Sequence, residues 1–389
     1  MKLLRVIASM DPSYGGPCQG IRNIVPSLEK LGIHNEVVSL DDPSATFLGT
    51  DSFPIHALGP AKGPWKYSPK LVPWLSENLS RFDVVIIHGL WLYYSFATSK
   101  AVRNFRGSEK RPKLFVMPHG MLDPYFQKAS DRKLKAIRNW MYWKLLESNV
   151  INKADGIFFT CEAELLLARE PFTPYQPKSE INVGYGIQPP PAYTLKMKET
   201  FLKKCPEVND KPYLLFLSRI HEKKGVDLLI KAYTKIAGEG TPKLVIAGPG
   251  LESPYGKELQ GLVSQSEARD SIFFPGMLSG EAKWGAFYGC EAFILPSHQE
   301  NFGIAVVEAL ACGKPVLISN QVNIWREIEV AGGGMVADNT LLGTTQLLGR
   351  WESLSRDAKL AMSMQARNAY EKNFAIEPAA RRIVEAIHE

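Results

Sequence analysis

The chain has 389 residues, of which 45% are hydrophobic and 22% charged, and a formal net charge of +6. That length exceeds what a single core supports, so two domains are expected, and the composition excludes disordered and fibrous classes. The mild basic excess suits an anionic partner, whether nucleotide diphosphate, lipid headgroup or nucleic acid, and does not choose among them.

The first predicted strand is LLRVIAS, 3–9. Arg5 interrupts its apolar stretch and Asp11 closes it, which leaves too little for the apolar region of a signal peptide. The strand feeds a glycine loop, 13–20, in which Gly15 and Gly16 either bring backbone N–H groups to a phosphate or form a plain tight turn. The loop is not G-x-G-x-x-G, so no dinucleotide fingerprint is present. Further strands are predicted at 35–40, 83–88, 113–118 and 156–160, with helical patterns between them at 20–31 and 134–150. The longest apolar run, 84–97, contains His88 and Gly89 and is too short to span a bilayer. His88 and Trp91 are candidates for lining an acceptor, although His88 could equally cap its strand. His119, followed by Gly120, stands at the end of the next strand, where ligands gather in α/β sheets. The segment 128–147 carries Lys128, Arg132, Lys133, Lys135, Arg138 and Lys144 with Trp140, Tyr142 and Trp143. It reads as a surface for an anionic membrane or as a core helix with one solvated face.

The proline-rich 187–193 reads as a linker. Beyond it the pattern restarts, with strands predicted at 213–219, 243–248, 271–276, 291–297 and 315–319. Apolar strands alternating with helices indicate two doubly wound parallel sheets, an α/β chain of Rossmann-like domains at 1–190 and 191–371 facing a central cleft. The last helix, about 372–389, is expected to pack back on the first domain. Five scattered cysteines, odd in number and without a C-x-x-C pair, favour a reducing, cytoplasmic compartment over a disulfide framework.

The strongest motif is ENFGIAVVEALACGKPV, 300–316. Glu300 falls in a strand-to-helix loop and Glu308 about one and a half turns into the helix. Backbone N–H groups near Asn301, Phe302, Gly303 and Ile304 form a helix N-terminus able to hold a diphosphate, and Gly303 permits close approach. Glu308 can accept both hydroxyls of a ribose and Glu300 those of a sugar. In FLSRIHEKKGVDLLIKAY, 216–233, Arg219 leaves a strand and Lys224 precedes a helix, so a fork-shaped cation and a point cation meet at one loop. Lys223 competes with Lys224 for that role.

These motifs resemble the retaining glycosyltransferases of family 4, which have the GT-B fold and include bacterial enzymes of polysaccharide assembly. The resemblance covers nearly the whole chain and is most specific in the second half. It implies that Glu300 contacts the transferred sugar, Glu308 the nucleotide ribose, and Arg219 and Lys224 the diphosphate. It gives His119 a place beside the sugar near the reacting carbon. It sets the glycine loop of Gly15 and Gly16 at the phosphate, and Gly248 (in AGPG, 247–250), Met277 and Leu278 near the base. His119, Arg219, Lys224 and Glu300 are thus the expected catalytic residues. The absence of a D-x-D triplet fits a site without metal, and no cofactor is expected. The resemblance also implies a cytoplasmic, peripherally membrane-bound enzyme that moves a hexosyl group to a lipid-linked glycan, with UDP-glucose the favoured nucleotide sugar. GDP-mannose, UDP-N-acetylglucosamine and a soluble acceptor stay open. A nucleotide-sugar 2-epimerase of the same fold and a non-catalytic nucleotide-sugar-binding protein are the alternatives. Nucleic-acid binding is disfavoured because no recognition motif is present.

Overall fold

The computed structural model describes residues 1–105, 111–128, 133–209 and 211–388. The chain divides into two compact units, Met1–Ile187 with Ile376–Glu389, and Gln188–Ala375. The boundaries therefore fall a few residues from 190 and 371. The second shift has a packing cause: Tyr370 and Phe374, in the π turn Tyr370–Phe374, are buried in the second unit, and the last helix starts only at Ile376.

In the first unit the described residues form a seven-stranded parallel sheet. Its strands are β1 (Lys2–Ile7), β2 (His34–Ser39), β3 (Ile55–Ala57), β4 (Val84–His88), β5 (Lys113–Met117), β6 (Gly156–Phe159) and β7 (Glu180–Asn182). Their order is β3-β2-β1-β4-β5-β6-β7. The central strands are buried on both faces, which is why they read as unbroken apolar runs rather than alternating ones. The last helix, Ile376–His388, packs on the first, Gly16–Lys30, and Lys113 Nζ donates to the Ile387 carbonyl at 3.0 Å.

The second unit is a six-stranded parallel sheet of β8 (Tyr213–Leu217), β9 (Lys243–Ala247), β10 (Ile272–Gly276), β11 (Ala292–Leu295), β12 (Val316–Ser319) and β13 (Gly334–Ala337). Its order is β10-β9-β8-β11-β12-β13. In each unit the strand order turns back once, between β1 and β4 and between β8 and β11. A doubly wound sheet opens a crevice at that point, outside the carboxyl ends of its strands. Among the described residues no helix is long and apolar enough to cross a membrane.

The pattern at 134–150 is not one regular helix. Lys133–Tyr142 is α-helical, Trp143–Glu147 forms a π turn, and Ser148–Lys153 resumes the α-helix. Trp143 and Glu147, the two ends of that π turn, are both buried.

Candidate functional site

In the second unit, the loops at the turning point carry most of the residues singled out above. The loop after β8 is pinned to the loop after β9: Ser218 N–H donates to the Ala247 carbonyl at 3.1 Å and Ile220 N–H to the Pro249 carbonyl at 2.8 Å. Arg219 lies between these anchors, exposed, and its guanidinium has no hydrogen bond or ion pair among the described residues. Gly248 is required by this closeness. Its φ is +148°, and a Cβ there would stand 1.8 Å from the Ser218 carbonyl oxygen.

Five residues on, Lys224 closes a short turn, is buried, and pairs through Nζ with Glu300 Oε2. Of the two adjacent lysines it is Lys224 that reaches the carboxylate. The carbonyl of Lys223 instead ties the two loops together, accepting the His298 N–H at 2.8 Å and the Ser297 hydroxyl at 3.0 Å. Gly225 makes that junction possible, since a Cβ at its φ of +65° would lie 2.2 Å from the Pro296 carbonyl oxygen.

Glu300 is clamped through its backbone. Its N–H donates to Gln321 at 2.9 Å, and its carbonyl accepts the Asn323 N–H at 2.9 Å. Asn301 Oδ1 takes the Asn323 amide at 3.4 Å, and the buried Phe302 sets its ring edge-on to Phe374 at 5.9 Å. Gly303, at φ +76°, opens the helix Ile304–Ala311; its carbonyl accepts the N–H groups of Val306 at 2.9 Å and Val307 at 3.2 Å, which leaves those of Ile304 and Ala305 without a backbone partner among the described residues. Glu308 is its fifth residue. Its Oε1 accepts from Lys283 Nζ at 2.7 Å, and Lys283 in turn lies 4.3 Å above the Trp284 ring. Lys283 is a residue the sequence reading missed, because no motif on its helix, Gly280–Gly289, marks it. Met277 is exposed and Leu278 buried, so the Leu278 side chain is turned away from any ligand. The second unit thus gathers two cation–carboxylate pairs, a free guanidinium and a helix N-terminus around one turning point.

In the first unit, Gly15 has a φ of +77° and caps the helix Gly16–Lys30. A Cβ at either Gly15 or Gly16 would meet nothing within 4 Å. Gly16 lacks a positive φ, so the fold itself does not demand glycine there. The Gly16 carbonyl accepts the Tyr185 hydroxyl at 2.7 Å.

His88 is buried, so it does not line an acceptor surface. Its ring lies between two partners, with Nε2 3.1 Å from Arg5 Nη1 and Nδ1 2.9 Å from His119 Nε2. Arg5 is itself buried in β1 and donates through Nε to Asn35 Oδ1 at 3.0 Å. Burial lowers its pKa to about 9, which leaves it charged at neutral pH. His119 is half-buried at φ +53°, and the next N–H, of Gly120, is held by the buried Glu164 carboxylate at 2.5 Å. Burial first, then the Arg5 charge, brings the His119 pKa down to about 3. His88 is pushed well below the ordinary histidine value by burial, then Arg5, then His119.

Trp91 also has a positive φ, +71°, and packs its ring against Phe172 at 5.2 Å. Its N–H donates to Glu147 Oε1 at 2.9 Å, and the Ser95 hydroxyl donates to the same oxygen at 2.7 Å. Glu147 Oε2 is buried with no partner among the described residues, and burial raises the carboxyl pKa to about 7. On the neighbouring surface Leu134, Ile137, Trp140, Met141 and Leu145 are all more than half exposed, among Lys133, Lys135, Arg138 and Lys144. Arg132, included in that basic segment, lies outside the described residues.

Comparison with known proteins gives a family for each half. Residues 15–177 match the glycosyl transferase 4-like domain, and residues 197–372 match the glycosyl transferases group 1. A glycosyltransferase of Methanocaldococcus jannaschii is 28% identical over 184 residues, 45% of this chain and 46% of that protein. The alpha-monoglucosyldiacylglycerol synthase of Streptococcus pneumoniae is 29% identical over 180 residues, 45% of this chain and 39% of that one. The chain thus spans less than half the length of these relatives. Among solved structures, Anabaena HepE in complex with UDP and glucose superposes with a TM-score of 0.78 at 17% identity, covering 100% of this chain and 99% of HepE. This likeness speaks to the fold.

Proposed function

We propose, from the premise that the chain belongs to the family-4-like glycosyl transferases of group 1, that it moves a hexosyl group from a nucleotide sugar to an acceptor hydroxyl and retains the anomeric configuration. UDP-glucose is the proposed donor, a choice supported by HepE having been solved with UDP and glucose. The observation that carries the reading is the Lys224–Glu300 contact at the turning point between β8 and β11, beside the open N-terminus of Ile304–Ala311.

On this reading the diphosphate meets Arg219, Lys224 and the N–H groups of Ile304 and Ala305 at the start of that helix. These are fixed positive groups aimed where charge develops as the bond from the anomeric carbon to the diphosphate oxygen breaks. Lys224 is paired with Glu300 and is proposed to share its charge between that carboxylate and the diphosphate. Glu300 keeps its other oxygen for sugar hydroxyls. Lys283 fixes one oxygen of Glu308 and leaves the other for the ribose. The acceptor oxygen attacks the oxocarbenium-like carbon from the face the diphosphate leaves, and the acceptor proton passes to the departing diphosphate. The cations come from side chains, so the reaction is proposed to need no metal.

The acceptor is proposed to be a lipid-linked glycan in polysaccharide assembly at the cytoplasmic face of the membrane. The ridge of Leu134, Ile137, Trp140, Met141 and Leu145, flanked by four cations, supports a headgroup-level contact. The name of the pneumococcal relative, an alpha-monoglucosyldiacylglycerol synthase, supports a lipid acceptor and not the glycan part of the proposal.

The test is incubation with a panel of nucleotide sugars, with and without acceptor lipids, followed by NMR of the products. An α-linked product from an α-linked donor is expected, and Lys224→Ala and Glu300→Ala abolish it without unfolding the chain. A free epimerised nucleotide sugar would identify a 2-epimerase instead, and binding without turnover a non-catalytic receptor.

A further inference from the structure

Arg5, His88 and His119 form a chain of hydrogen bonds with a donor-only group at one end. A guanidinium carries no acceptor, so Arg5 Nη1 must donate to His88 Nε2. That nitrogen is then a bare lone pair, and neutral His88 carries its proton on Nδ1. Its Nδ1–H can only donate to His119 Nε2, 2.9 Å away. His119 Nε2 is bare in turn, and the remaining proton of the neutral ring sits on Nδ1. Parallel pairing places Arg5 beside Ile86 and Ile7 beside His88, so Arg5 and His88 emerge on one face of adjacent strands.

We propose that Arg5 is a positioning residue that fixes the tautomer of His119 through His88, so that His119 offers Nδ1–H to the sugar substrate as a neutral hydrogen-bond donor and takes no proton in the reaction. The part concerning substrate rests on the function proposed above; the tautomer does not.

The surroundings leave no rival for the Nε2 proton. Glu164, which holds the Gly120 N–H next to His119, is also engaged by the N–H and hydroxyl of Thr160. Tyr94 gives its hydroxyl to the His88 carbonyl. Tyr185 meets His119 with its ring edge and gives its hydroxyl to Gly16. The C-terminal helix contributes Ala379 and Ile383 to the small cavity that Arg5, His88, His119 and Tyr185 line. A second proton on His119 would set two N–H groups against each other across the His88 contact, next to the Arg5 charge. The low pKa of His119 agrees with that conflict.

The experiment is nitrogen-15 NMR of the imidazoles in the full chain at neutral pH, with Arg5→Met, His119→Asn and His119→Ala alongside. In the wild type both rings are expected as pure Nδ1–H tautomers, a reading that needs no substitution. Arg5→Met is expected to give mixed tautomers, a His119 pKa that climbs toward the ordinary value of about 6.5, and transfer reduced about ten- to hundredfold, the range seen when a group orienting a functional histidine is lost. His119→Asn keeps an N–H near the Nδ1 position and tolerates the left-handed backbone, so it retains transfer within about tenfold while His119→Ala does not. An Nε2–H tautomer on either ring of the wild type, or tautomers unmoved in Arg5→Met, overturns the proposal. Correct tautomers with full transfer in His119→Ala would overturn only its substrate half.

Discussion

Glu147→Gln is expected to make the protein more stable at alkaline pH and leave it unchanged in acid. The carboxyl is buried, its Oε1 takes the Trp91 N–H and Ser95 hydroxyl, and its Oε2 has no partner among the described residues. Burial raises its pKa from 4.5 to about 7. Between these values the native state holds a proton that the unfolded chain has released, so stability falls as pH rises through that window. Above it, at about 1.4 kcal/mol per unit, the ionised carboxylate costs about 3 kcal/mol relative to its unfolded state. Gln keeps the Oε1 acceptor and carries no charge. At pH 8 the unit containing it should therefore melt several degrees higher than wild type, at about 2–4 °C per kcal/mol for a unit of this size. At pH 4.5 the two should coincide. Thermal scans followed by circular dichroism at the two values make the comparison. An equal shift at both, or destabilisation at pH 8 alone, would refute the reasoning.

Gly16→Ala should fold with an unchanged melting temperature, because its Cβ enters open space, yet weaken nucleotide-sugar binding about tenfold or more if backbone there approaches phosphate. Gly248→Ala should unfold or distort the second unit, since its Cβ meets the Ser218 carbonyl at 1.8 Å, and differential scanning calorimetry separates the two cases. Replacing Leu134, Ile137 and Leu145 together with serine should abolish sedimentation with phosphatidylglycerol vesicles and spare hydrolysis of soluble nucleotide sugar; retained sedimentation would dismiss the membrane face. Excess chelator should leave transfer intact, and loss reversed by magnesium would contradict a cation supplied by side chains alone.

Ten strands were legible because most of them, such as β4, β5, β6, β9, β11 and β12, are buried on both faces and read as apolar runs. The three that escaped, β3, β7 and β13, are short or lie in a glycine run: IHA, EIN and GMVA after two further glycines. Their pairing is decided by the neighbouring strand and not by their own residues. The residues on 216–233 and 300–316 were readable because loop, glycine and helix start follow one another locally. The histidine chain was not. Arg5 served only to rule out a signal peptide, whereas an arginine in mid-strand with apolar neighbours on both sides was the available signal of a buried polar network. Its partners come from β2, β4 and the loop after β5, which the sequence separates by 30 and 83 residues for the direct contacts. Lys283 and Glu147 escaped likewise, since each is given its role by a partner on a different element.

The central claim concerns how a nucleoside diphosphate is gripped, and calorimetric titration of UDP and of uridine into wild type and Lys224→Met tests it most directly. The account predicts that UDP affinity falls at least tenfold in Lys224→Met while uridine affinity stays the same. Equal UDP affinity in the two proteins, with the variant folded, would contradict it.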